Sequence, residues 1–172
     1  NVFGLSIGIS ACLVIFLIAS YELSFDRFQP DRDRIFRVYT THSGTTDQVY
    51  SGIPTGAARA IKETFTGLES VTNFHTCNWN VKVPVNTKLK DFGSYGKIIV
   101  AGPEYFQVFD YYEWLVGGPG RSLSNPFSVV LSESRAKTYF GDVDPLAVVG
   151  KEIHYSDSLR VTVSGIFKDI SE

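Results

Sequence analysis

The first 21 residues form a continuous apolar run that contains no Lys, Arg, Asp, Glu or His. An α-helix rises about 1.5 Å per residue, so a helix of this length spans roughly 30 Å, the thickness of the hydrocarbon core of a bilayer. A buried core helix is usually shorter and keeps a polar stripe, which this run lacks. A secretory signal peptide starts with a basic segment, which is absent from this sequence. We therefore predict a transmembrane helix, with a signal peptide as the remaining alternative.

Small residues recur at a spacing of four within this run. Gly4 and Gly8 form a GxxxG pair, and Ser6 and Ser10 form a second small-xxx-small pair. Helices in lipid associate through close approach of their backbones, so such pairs are typical of packing faces, although glycine is also common in membrane helices in general. The same residues spell G-x-S-x-G, a hydrolase motif that needs a strand before it and a helix after it. Because this motif lies inside an apolar helix, we interpret it as coincidental and take Gly4 and Gly8 as helix-packing candidates.

Beyond the apolar run, the order of apolar and polar residues predicts both strands and helices. We expect the first helix to continue as a stalk to about Phe28 and to end at Pro30. Segments rich in aromatic and β-branched residues predict strands, at 34–40, 48–50, 71–77, 79–86, 96–101, 127–131, 150–155 and 159–168. Helical spacing or a leading proline predicts helices, at 57–65, 103–109 and 133–140. Strands interleaved with short helices predict an α+β domain whose helices cover one face of a sheet.

Single residues refine several of these elements. The helix over 57–65 is amphipathic and is expected to lie on the sheet. Pro84 cannot donate to a strand ladder, which predicts an edge position for its strand. Ser132 is expected to cap the helix that follows it, and Gly141 to end that helix. Glycine and proline predict turns, at Ser43–Gly44, Gly93–Ser94 and Asp144–Pro145.

Charge and cysteine content restrict the function further. The 172 residues carry 16 basic and 18 acidic side chains, for a net charge of −2, whereas a nucleic-acid-binding surface shows a basic excess. Acidic and basic residues balance over 22–37, so the positive-inside rule does not fix the orientation of the helix. Cys12 lies in the apolar run and Cys77 outside it, so we expect no disulfide and a reduced, structural Cys77. The chain has no Met and begins within the apolar run, and we expect it to be part of a longer protein.

None of the groupings of reactive side chains matches a known kind of catalytic or metal site. His75 and Cys77 share one face of a predicted strand, but a zinc site needs three or four ligands. His154 near Asp157 has no defined nucleophile beside it. The loop Gly117–Gly120 lacks the GK[ST] ending of a phosphate-binding loop. We therefore predict no catalytic, cofactor-binding or metal-binding residue, and no enzyme activity.

Three strings of this sequence resemble the MacB/FtsX-like permeases of ABC transporters. Residues 4–39 are similar to that family's apolar GLAIG-type helix, ELS[FY]D element and D[RK]I[FY]RV strand. Residues 105–153 resemble its aromatic helix, glycine-rich loop and VVLSES, YFG, DPL and VGK motifs. Residues 159–169 resemble its closing strand, which ends in Lys-Asp, whereas residues 40–95 follow the family only in pattern.

The resemblance implies a transmembrane helix and stalk over residues 1–28 and a periplasmic core domain over 29–172, porter-like and built with βαβ units. It implies the inner (plasma) membrane as the location, with the bulk of the chain periplasmic. In such permeases this domain transmits ATP-driven motion for export or mechanotransmission. The implied partners are a cytoplasmic ABC ATPase subunit or domain, a second permease copy, a periplasmic adaptor and membrane lipid, and no nucleic acid. The alternative is the ligand-binding ectodomain of a membrane-anchored sensor, which also follows a single anchor.

Overall fold

The computed structural model describes residues 2–24, 29–42, 48–85 and 87–170. The chain divides into two compact units, Asn1–Phe36 and Arg37–Glu172. The first unit holds helix α1 (Val2–Glu22) and a short 3₁₀ helix, Arg32–Arg34. Among the described residues, α1 alone is long and apolar enough to cross a membrane, and its side chains are exposed along its whole length. By length and composition, α1 meets the requirement for the predicted transmembrane helix.

Helix α1 ends earlier than the sequence predicted. The Leu23 N–H still bonds to the Ala19 carbonyl at 2.9 Å, but the Ser24 N–H bonds to Tyr21, three residues back rather than four. The Ser24 hydroxyl also donates to the Tyr21 carbonyl at 2.7 Å, and local side-chain bonds of this kind compete with the helical pattern. Residues 23 and 24 therefore form a turn, and the expected helical continuation is not formed there. The rest of the predicted stalk, 25–28, lies outside the described residues.

The second unit begins with a small antiparallel sheet. Strand β1 (Thr40–His42) pairs with β2 (Gln48–Tyr50), which confirms the predicted return strand. The predicted strand 34–40 is wrong, because the ladder starts only at Thr40. A strand needs partners for its N–H and C=O groups, and the three-residue β2 pairs with no residue before Thr40. The predicted turn Ser43–Gly44 lies outside the described residues.

A six-stranded mixed sheet forms the centre of the second unit. Its strands are β3 (Phe74–Val85), β4 (Lys88–Ala101), β5 (Trp114–Val116), β6 (Ser128–Ser132), β7 (Glu152–Tyr155) and β8 (Leu159–Phe167). Antiparallel pairs give the order β4-β3-β7-β8-β5, and β6 pairs in parallel with β8. Strand β4 is thus the edge strand at one end of this order. The sheet has one parallel pair and is otherwise antiparallel, and together with its short helices it confirms the predicted α+β class.

Strands β3 and β4 form one long hairpin instead of the shorter predicted strands. Phe92 and Gly93 of β4 lie opposite the single residue Val81 of β3, which defines a β-bulge. Gly93 has φ +77°, a conformation that favours glycine, and its N–H donates to Asp91 Oδ1 at 2.7 Å. The turn predicted at Gly93–Ser94 is therefore wrong, because β3 provides a partner on both sides of the glycine.

Pro84 predicts an edge position for the strand that contains it. In the structure β3 is an interior strand between β4 and β7. Strand β7 pairs with β3 only at Val81 and Lys82, whereas Pro84 lies opposite Leu89 of β4. The prediction is therefore wrong for the strand as a whole, but Pro84 lies past the end of the β7 ladder, where its missing N–H removes no bond of that ladder.

The described part of the second unit has four α-helices, which are α2 (Ala57–Thr64), α3 (Tyr105–Val108), α4 (Glu133–Phe140) and α5 (Pro145–Val148). The predicted cap of α4 is confirmed, since Ser132 Oγ accepts the Arg135 N–H at 3.4 Å and Gly141, at φ +82°, ends the helix. The predicted turn Asp144–Pro145 is instead the start of α5. There Asp144 Oδ1 accepts the Leu146 N–H at 2.8 Å, and proline occupies the first turn of the helix.

The hydrophobic core lies between the sheet and helices α4 and α5. Its buried residues are Val81, Val83, Leu131, Ala136, Tyr139, Val148, Ile153, Tyr155, Val161, Val163 and Ile166. No residue of α2 is buried, and Phe65, directly after it, is 62% exposed. The prediction that this helix lies on the sheet is therefore wrong, because α4 and α5 supply the helical residues of the core.

Candidate functional site

The helix-packing candidates Gly4 and Gly8 lie on one face of α1, in a shallow groove that also contains Cys12. Ser6 and Ser10 line a separate groove, so the two small-residue pairs belong to different faces. Both serine hydroxyls bond to the carbonyl four residues earlier, at 2.9 and 2.8 Å. A Cβ added at either glycine would meet no side chain of the described residues within 4 Å, which leaves this face open to a neighbouring helix. The packing role of the two glycines stays a prediction.

The possible metal ligands on β3 remain a pair. His75 is exposed and Cys77 is half-buried, two residues further along the strand, and both cysteines of the chain are free thiols. Within the described ranges, no three His, Cys, Asp or Glu side chains lie close enough together to hold a metal ion. A zinc site needs three or four ligands, and the described residues bring no further one to this pair.

The structure separates His154 from Asp157. His154 Nε2 contacts Glu152 Oε1 on the same strand, whereas Asp157 Oδ1 pairs with Lys82 Nζ at 2.7 Å. This hydrogen bond with Asp157 raises the pKa of Lys82. On the neighbouring strand, the Gly93 N–H donates to the Asp91 carboxylate and lowers the pKa of Asp91. Both shifts favour the charged forms, which suits a solvated polar face of the sheet rather than proton transfer near neutral pH.

The loop Gly117–Gly120 packs against β8. Its Gly118 N–H donates to Ser122 Oγ at 3.1 Å, and Ser122 is only 1% exposed. A Cβ at Gly165 of β8 would lie 2.7 Å from Ser122 Oγ and 2.9 Å from Trp114 Cζ3, so only glycine fits at this position. Close packing between loop and strand therefore accounts for glycine at 117 and 165, whereas a Cβ at Gly118 or Gly120 would meet no described atom within 4 Å.

An aromatic cluster joins the start of β3, helix α3, the segment before β5 and the end of β8. Neighbouring ring centroids lie 4.3–6.5 Å apart among Phe74, Tyr105, Phe106, Phe109, Tyr111, Tyr112, Trp114 and Phe167. The Tyr112 hydroxyl bonds to those of Tyr111 at 3.0 Å and Tyr105 at 3.3 Å. Burial raises the pKa of Tyr105 and of Tyr112, which keeps both phenols neutral. Stacked and edge-to-face rings of this kind stabilise the packing of the elements that carry them.

Helix α4 is held on the sheet by Arg135 as well as by its apolar residues. The Arg135 guanidinium lies 3.7 Å from the ring centroid of Tyr95 on β4 and 5.5 Å from that of Tyr139 on α4. A cation over an aromatic ring contributes about 0.5–2 kcal/mol, more when it is shielded from water. The contact therefore ties α4 to the edge strand of the sheet.

Two contacts hold the chain where it leaves β8. Asp169 accepts hydrogen bonds from the Ser134 N–H at 3.1 Å and the Ser134 hydroxyl at 2.7 Å, at the N-terminus of α4. The Lys168 N–H donates to the Glu113 carbonyl at 2.8 Å, and the Lys168 ammonium pairs with the Glu113 carboxylate. We call these four residues the C-terminal clamp. Sequence reasoning missed it because the partners are 35 and 55 residues apart, and the only local signal is the Lys-Asp pair that follows the closing strand.

Alkaline pH is expected to destabilise the second unit. Burial raises the pKa of Tyr155 above its ordinary value of 10.0, so the unfolded chain ionises this phenol at a lower pH than the folded chain does. The stabilisation is fully present below about pH 10 and is lost as the pH rises through the folded pKa. We expect a lower urea midpoint at about pH 11 than at about pH 8, and a smaller decrease in Tyr155→Phe. Tyr50→Phe, at an exposed tyrosine, is the control, and an equal decrease in both variants would contradict the role of Tyr155.

The match to a protein family covers both parts of the chain. An apolar helix that meets the length requirement for a membrane span precedes an α+β domain whose charged groups form ion pairs and whose glycine loop packs against a strand. The MacB-like periplasmic core domain family matches residues 1–172, and the chain belongs to this family.

A solved structure agrees with this assignment. The crystal structure of the periplasmic region of MacB from Actinobacillus actinomycetemcomitans is similar to this chain, with a TM-score of 0.50 and 20% sequence identity. The similarity covers 69% of this chain and 51% of that one, so the chain spans about half the length of the solved region. At this identity the likeness shows the fold. Among curated proteins, no sequence matches this chain.

These findings confirm the resemblance to MacB/FtsX-like permeases. The chain is a MacB-like periplasmic core domain, of the family found in ABC transporter permeases. Together with the apolar helix, the domain indicates a membrane-anchored protein with an extracytoplasmic part.

Proposed function

We propose that this chain is part of a permease subunit whose extracytoplasmic domain transmits ATP-driven motion, for export or mechanotransmission across the inner (plasma) membrane. The observation that carries the proposal is the family match over all 172 residues, which includes the apolar helix as well as the α+β domain. In this arrangement α1 lies in the membrane, and the bulk of the chain lies in the periplasm. Movement within the membrane then reaches the domain through the segments of the permease that join the two.

The proposed partners divide the work of transport among several components. ATP is hydrolysed by a cytoplasmic ABC ATPase subunit or domain, since residues 1–172 contain no GxxxxGK[ST] pattern. A second permease copy provides the surface against which the domain moves, and a periplasmic adaptor receives the motion or the substrate. Membrane lipid surrounds the exposed apolar side chains of α1. Nucleic acid is not a partner, in line with the net charge of −2.

A domain that transmits motion has to be displaced as one body. The core of the second unit is contributed by β3, β6, β7, β8, α4 and α5, and close-packed interiors transmit displacement because they resist compression. The aromatic cluster extends this packing to α3 and β5. These contacts support a mechanical role for the sheet and its helices.

Spin labels on α4 test the proposal. In the full-length permease, reconstituted with its ATPase, Cys12 and Cys77 are replaced by alanine, and a label is attached to Thr138→Cys on the exposed side of α4. In a dimer the two labels report the distance between the two domains. We expect this distance to change when Mg-ATP is added, and to stay constant with an ATPase variant that cannot bind ATP.

Two other results would lead to different conclusions. A constant label distance, in a preparation that hydrolyses ATP, would contradict the transmission of motion to this domain. A change produced by a small ligand without ATP would favour the sensor ectodomain, because a sensor responds to occupancy of its own site.

A further inference from the structure

Helix α2 has an apolar side that stays open to solvent. Four residues on this side have helical spacing. We call them the α2 face, and they are Ala57, Ala60, Ile61 and Phe65. The Phe65 N–H bonds to the Ile61 carbonyl at 2.9 Å, so Phe65 completes the last turn. None of the four residues is buried, and Phe65 is 62% exposed.

The charged residues of α2 already have partners. Arg59 Nε pairs with Glu63 Oε1 at 2.8 Å, one helical turn further along. Lys62 Nζ pairs with Glu104 Oε1 at 3.6 Å, directly before α3. All three charges of the helix are therefore paired, and a further neighbour of α2 would meet its apolar side.

The core of the second unit does not stabilise α2. All buried residues of that core lie between Val81 and Ile166, whereas no residue of α2 is buried. An isolated helix shorter than about 12 residues is marginal in water, and most helices in proteins are stabilised by packing of their apolar face. Helix α2 has eight residues. We therefore expect an apolar group from outside the described residues to cover the α2 face.

The size and charge of the α2 face favour an occupant from the same polypeptide. A stable interface between two proteins uses about 20–30 residues on each side, whereas this face has four. Helices that bind a lipid surface are rich in Lys and Arg on their polar side, whereas the two cations of α2 are paired with carboxylates. A segment of the same polypeptide needs neither feature, because its covalent connection lowers the entropic cost of association.

The family assignment makes such a segment available, since the chain spans about half the length of the solved MacB periplasmic region. We propose that the α2 face is the docking site for an apolar segment of the same permease that lies outside residues 1–172. This segment packs on Ile61 and Phe65 and gives α2 a core of its own. Docking belongs to the folded domain and does not require ATP-driven motion, so it can fail while the proposed function stands.

Cysteine labelling measures whether the α2 face is covered in the full-length permease. Cys12 and Cys77 are replaced by alanine, and Phe65→Cys is compared with Leu146→Cys, at an α5 residue that is 67% exposed. Each labelling rate is divided by the rate of the same variant unfolded in urea. We expect a maleimide to label Phe65→Cys at least about tenfold more slowly than Leu146→Cys, because a packed thiol is shielded from the reagent. Equal rates would overturn the proposal.

A photo-cross-link identifies the occupant and keeps an aromatic side chain at position 65. In the full-length permease, p-benzoylphenylalanine replaces Phe65, and the linked peptides are identified by mass spectrometry after irradiation. We expect a cross-link within one polypeptide, to a peptide outside residues 1–172. A cross-linked dimer, a lipid adduct, a link to a peptide within residues 1–172 or the absence of any link would each overturn the proposal.

Discussion

The Ile153→Ala variant is expected to lower the free energy of unfolding by about 2–5 kcal/mol. Ile153 is 0% exposed and lies on β7, between β3 and β8, within the core cluster. Truncation leaves a cavity that close-packed neighbours fill only in part, so the lost contacts are not replaced. Since natural domains are stable by about 5–15 kcal/mol, this one change removes a large share of the total.

Urea unfolding of residues 1–172 in detergent measures this effect. Trp79 packs against the core cluster, so its fluorescence reports the loss of core structure. Leu146→Ala, at an α5 residue that is 67% exposed, is the matched control and is expected to stay within about 0.5 kcal/mol of the parent chain. Equal midpoints for Ile153→Ala and Leu146→Ala would mean that the core is not packed around Ile153.

Replacing Gly4 and Gly8 together by leucine is expected to reduce transport by the full-length permease strongly. Two leucine side chains would fill the groove on this face of α1 and keep a neighbouring helix from close backbone approach. The second unit should stay folded, since both substitutions lie in the other compact unit. Transport, cross-linking of the assembled permease and the circular dichroism of the protein are measured together.

A matched double variant tests whether transport depends on the glycine face of α1 in particular. Ser6→Leu with Ser10→Leu introduces the same side chains into the separate groove of α1, and its effect on transport is expected to be smaller. Unchanged transport and cross-linking in the glycine double variant would refute the packing role of Gly4 and Gly8, but not the family assignment.

Elements whose signals lie within a few residues were predictable from the sequence. The start and end of α4 follow from Ser132 and Gly141, and the two closing strands follow from their aromatic and β-branched residues. Gly93 shows the opposite case. A turn and a β-bulge both use glycine at positive φ, and pairing with the distant β3 decides between them. Strand 34–40 failed for the same reason, because its residues have strand propensity but β2 pairs only with Thr40–His42.

The candidate sites also differ in whether neighbouring or distant residues define them. Gly4 and Gly8 were identified as helix-packing candidates from a local spacing on a helix that the sequence predicts well, and their packing role stays a prediction. The clamp was missed because Ser134 and Asp169 come together only when β6, α4 and β8 are in place. Strand β5 was also missed, since its three residues are too few to show a period.

The edge strand β4 affects the tendency of the domain to aggregate. It is a 14-residue edge strand, and long edges of this kind are the usual starting points of sheet-to-sheet aggregation. Lys88, Lys90 and Lys97 are exposed along it, and the Gly93 bulge interrupts its regular ladder. An incoming strand would have to desolvate these ammonium groups and match an irregular backbone. The edge therefore disfavours the addition of a strand from a second molecule.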